Sequence, residues 1–65
     1  MDLNAYYQQC LDACRKAQES REQRDVDAAA RLMDQPEFDA ISPNQAKRLA
    51  NEYNRAFFAT GALSP

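Results

Sequence analysis

The sequence predicts an all-α fold: a helical hairpin that a second copy of the chain completes into a helical bundle. Three observations carry this. Ala, Gln, Arg, Glu, Leu and Lys are abundant, while β-branched residues are limited to one Val, one Ile and one Thr, a balance that favours helix over strand. The breakers are Gly61, Pro36, Pro43 and Pro65 alone, so helices have few places to stop. Finally, 65 residues with few large apolar side chains build a core worth only ~3–5 kcal/mol, which chains of this size usually supplement with a disulfide, a metal or oligomerisation.

The first helix is expected over about residues 3–34, with Asp2 or Asn4 as its cap. Leu3, Tyr7, Cys10, Cys14 and Ala17 recur in steps of four and three, and Tyr6 and Leu11 widen that stripe into a face. Gln18 to Asp25 then contain no apolar side chain. Two readings of this polar stretch compete. High helix propensity without Gly or Pro favours one continuous helix, helped by Arg15–Glu19, Arg21–Asp25 and Asp27–Arg31 at i,i+4, each worth only ~0.3–0.5 kcal/mol. Alternatively the chain breaks near Arg24, and Asp25 caps a separate short helix.

Pro36 ends this helix, because it disfavours helical dihedrals at Gln35 and has no amide proton to donate. Residues 35–42 read as a loop from which Phe38 and Ile41 fold inward. Ser42, Pro43 and Gln45 form a capping box with proline at the first helical position. They start a second helix over 43–60, with Ala46, Leu49, Ala50, Tyr53 and Phe57 on one face and Phe58 at its edge. Thr60–Gly61 ends it, and 61–65 form a short tail on a single domain, 1–65. A first helix ~48 Å long would overhang the second, and a symmetric dimer would cover the excess. The interface expected for an oligomer or another partner is therefore Leu3, Tyr7, Cys10, Cys14, Leu49, Tyr53 and Phe57.

The net charge of −2 and the lack of His argue against a mainly electrostatic nucleic-acid binder. Charge is uneven, however. Residues 25–42 hold five acids against Arg31, while residues 43–65 hold Lys47, Arg48 and Arg55 against Glu52. Arg21, Arg24, Arg31, Lys47, Arg48 and Arg55 are the candidate contacts for nucleic acid or an acidic partner; the ordinary alternative is a solvated face.

No cofactor or metal is expected. Cys10 and Cys14 are poorly aimed for a mutual disulfide, and a zinc site would need further Cys or His, so buried thiols are the ordinary reading. Catalysis is not expected, because the serines and cysteines have no evident partner base. With no apolar run of membrane length and no signal-like start, a cytoplasmic location with reduced thiols is expected.

The tyrosine-rich start Asn4-Ala5-Tyr6-Tyr7-Gln8-Gln9, the charged Arg15–Asp27 stretch and the compact Ser42–Phe58 helix together resemble the very small helical proteins of the early regions of lambdoid bacteriophages. The resemblance implies a non-enzymatic regulatory protein that works by protein–protein contacts in a bacterial host cytoplasm. A nucleic-acid-binding regulator using the basic residues above is the alternative. Dimeric helical hairpins that bind paired RNA are similar in architecture alone.

Overall fold

The computed structural model describes residues 2–61. They form α1 (Leu3–Ser20), α2 (Gln23–Met33), a short 3-10 helix (Pro36–Ala40) and α3 (Pro43–Ala59), with no strand among the described residues. The fold is all-helical. The leaning towards one continuous helix over 3–34 is corrected: that stretch is two helices, and the chain reverses at Arg21–Glu22.

Local capping frames this reversal. Asp2 caps α1, accepting from the Asn4 backbone N–H at 3.0 Å. At the other end Arg21 adopts φ 58°, ψ 26°, the left-handed region, and its N–H bonds the Ala17 carbonyl at 2.9 Å. This is a helix C-terminal turn that glycine usually provides. Ser20 then bridges the two helices: its hydroxyl donates to the Asp25 carboxylate and accepts from the Glu22 N–H at 3.2 Å. Glu22, not Asp25, occupies the N-cap position of α2, and Asp25 lies within its first turn.

Burial decides the outcome. Folding α2 back on α1 takes Val26 and Ala29 to 0% exposure. Full burial of a valine side chain is worth about 1.5–3 kcal/mol, against about 1–2 kcal/mol for a non-glycine residue in left-handed geometry. Arg21→Gly relieves that strain and gives back part of the gain through a looser unfolded chain. The expected net result is about 0.5–1 kcal/mol of added stability in urea unfolding; a loss of stability would show that the Arg21 side chain holds the turn.

The directions of the helices follow from their contacts. The Tyr6 hydroxyl donates to the Leu32 carbonyl, and Ser20 meets Asp25, so α1 and α2 are antiparallel. Tyr7 lies beside Gln45 and Lys47, while the Gln18 amide donates to the Glu52 carbonyl at 3.0 Å, so α3 runs parallel to α1. The chain thus goes up, down and up with α1 as the shared partner, within an envelope of 39 × 17 × 17 Å. The expected overhang of a long first helix does not exist, because α2 itself covers α1.

Two apolar clusters hold the three helices. Tyr6, Cys10, Leu11, Ile41 and Leu49 form the first, with Phe38 packed from the 3-10 helix. Ala17, Val26 and Ala56 form the second, with Tyr53 and Phe57 against it. The capping box at Ser42–Gln45 is present in both directions, each bond 3.2 Å, and sets where α3 begins. Thr60 and Gly61 close α3, with Gly61 at φ 72°. The tail at 62–65 lies outside the described residues.

Candidate interaction surface

The seven residues expected at an interface divide into two groups. Cys10, Cys14 and Leu49 are 0% exposed within the single chain. Their place at an interface is corrected: Cys10 and Cys14 of α1 and Leu49 of α3 are covered within the same molecule and have no surface left for another. Leu3, Tyr7, Tyr53 and Phe57 are half-buried and keep accessible area.

Tyr53 and Phe57 belong to an aromatic run along the C-terminal half of α3. Their ring centroids are 6.3 Å apart, and Phe57 meets Phe58 edge to face at 6.2 Å and 85°. Phe58 is 63% exposed, the one large apolar side chain among the described residues with that exposure. Beside the run, an open groove of about 410 Å³ separates α2 from α3, lined by Ala30, Arg31, Met33, Asp34 and Tyr53. Phe58, Met33 and Ala30 were not among the interface residues expected from sequence. A signal for Phe58 was available, since adjacent residues on a helix cannot face the same way and Phe57–Phe58 therefore leaves one ring outside.

The six basic residues do not form one surface. Arg21 and Arg24 sit at the reversal, where Arg24 pairs with Glu22 at 2.9 Å with both side chains largely solvated. Arg31 lines the α2–α3 groove. Lys47 and Arg48 line a different groove, between α1 and α3, with Tyr7, Asn44, Gln45 and Asn51. Arg55 is exposed further along α3.

Both thiols are free and buried. Burial raises the Cys14 thiol from an ordinary 9.0 to about 11, with smaller contributions from Cys10 and Glu52. Burial likewise raises Cys10, partly offset by its hydrogen bond with Tyr6. The Tyr6 phenol is also raised by burial first, then by Cys10 and the carboxylates of Glu37 and Asp39. These thiols hold their protons at neutral pH and are poor nucleophiles; Cys14 Sγ instead lies 3.9 Å from Met33 Sδ. A raised thiol pKa means that the folded state keeps a proton the unfolded chain releases. The contribution to stability is complete below about pH 9 and is lost as pH climbs towards about 11. The melting temperature is expected to fall across that window, and more steeply in the parent than in Cys14→Ala; parallel curves would remove Cys14 as a cause.

No helix among the described residues is long and apolar enough to cross a membrane. No protein-family model, curated protein or solved structure matches the chain.

Proposed function

We propose that the chain is a small non-enzymatic interaction protein that pairs with a second copy through its α2–α3 face and regulates by protein–protein contact. The exposed Phe58, in edge-to-face contact with Phe57 on α3, is the observation that carries this reading; Tyr53, further back on the same helix, lines the α2–α3 groove. Aromatic anchors of this kind dominate interface energetics. Two copies related by a two-fold axis would bring α2 and α3 of each together as a four-helix layer, which is the bundle this reading requires. The rim suits such an axis: Arg31 and Asp34 lie on the same groove, so each cation can face the other copy's carboxylate. The setting proposed is a bacterial cytoplasm, where the buried free thiols stay reduced, with a phage-type regulatory factor as the model.

Sedimentation at micromolar concentration tests this directly. Two chains per particle are expected. Phe58→Ser should weaken association about 30-fold, the loss of about 2 kcal/mol at a central aromatic, with little change in the stability of the fold because Phe58 is mostly exposed. A parent chain that sediments as a monomer overturns the dimer.

A further inference from the structure

The α1–α3 groove lies on a different pair of helices from the proposed dimer face. It is a shallow depression of about 350 Å³, open to solvent, lined by Tyr7, Asn44, Gln45, Lys47, Arg48 and Asn51, and has no carboxylate in its lining. From these observations we infer that it binds a nucleotide unit, either free or within a single strand, with the phosphate on Lys47 and Arg48 and the base against Tyr7.

The residue types divide the work. Lys47 and Arg48 are exposed and, among the described residues, neither has a carboxylate within ion-pair distance; Arg24, by contrast, is paired with Glu22. Their charge is therefore available to a phosphate, for which charge-assisted hydrogen bonds are the strong kind. Both lie towards the start of α3, whose dipole adds a positive end to the same groove. Asn44, Gln45 and Asn51 carry carboxamides, which both donate and accept as base edges do. Gln45 spends its oxygen on the Ser42 N–H and retains its amide protons. Tyr7 is half-buried against the first apolar cluster, so its ring is held in place as a stacking surface and loses little freedom on binding. An open groove of this size has room for one unit and not for a duplex. The acids that make the whole chain negative are concentrated elsewhere, notably in the stretch from Asp25 to Asp39.

The probe is a fluorescent single-stranded oligonucleotide of about ten residues, within the usual site sizes for such binding, titrated with the full chain at low salt and followed by anisotropy. Saturable binding is expected, with log K falling against log salt at a slope near −1.4, the value for two phosphate contacts on a single strand. The double variant Lys47→Glu, Arg48→Glu should abolish binding; both positions are exposed, so the helical circular dichroism should be unchanged. Tyr7→Leu should weaken binding about tenfold at the same salt slope. Competition by adenosine monophosphate would identify a free nucleotide as a sufficient ligand, and competition by unlabelled strand alone would place the unit within a polymer. No binding at low salt, equal competition by polyglutamate, or full binding by the double variant would each overturn the inference.

Discussion

Leu49→Ala is expected to destabilise the fold by about 3 kcal/mol, within the range of about 2–5 kcal/mol for emptying a buried leucine site. Leu49 is the largest side chain with no exposure in the described chain. It projects from α3 into the cluster built by Tyr6, Cys10 and Leu11 of α1 and by Ile41. Truncation loses its transfer free energy and leaves a cavity where α1, α3 and the end of the 3-10 helix meet. A chain of this length has about 3–10 kcal/mol in total, so the variant should melt about 12–24 °C lower. A loss below about 1 kcal/mol would mean that α3 packs on α1 differently. The half-buried Tyr53 and Phe57 should cost less, because truncation there opens onto solvent.

Ala17→Leu is expected to cost about 1–3 kcal/mol or more, for the opposite reason. Ala17 on α1, Val26 on α2 and Ala56 on α3 are all 0% exposed and in one cluster. The three helices meet through these side chains, and the added carbons have nowhere to go without separating them. Ala5→Leu, on the exposed side of the same helix, should stay within about 0.5 kcal/mol of the parent. Equal effects at Ala5 and Ala17 in urea unfolding would show that helix propensity, and not close approach, sets the result.

These two sites show how far the residues could be read in advance. The apolar stripe Leu3–Ala17 was visible in its spacing, as was the face through Leu49, Tyr53 and Phe57. What covers them was not. An amphipathic face states that something must be buried against it and is silent on whether the cover is the same chain or another. Here α2 and α3 together supply the cover for Cys10, Cys14 and Ala17, and so the arithmetic that led to a dimer through that stripe no longer applies. The aromatic end of α3 is the part left over. The basic residues illustrate the same point. Their count was plain, but Arg31 falls on one groove and Lys47 and Arg48 on another, because the helices that carry them turn different flanks to α1.

The helical class, the Ser42–Gln45 capping box and the stop before Pro36 were all present in the residues themselves. Each depends on dihedral limits and hydrogen bonds that reach no further than four positions. The reversal at Arg21 depended on the tertiary structure. No glycine or proline marks it, and local propensity favours continuing. It occurs because Val26 and Ala29 gain more by burial against α1 than Arg21 loses in an unfavourable backbone region. That gain comes from contacts between residues far apart in the chain, which helix propensity does not register.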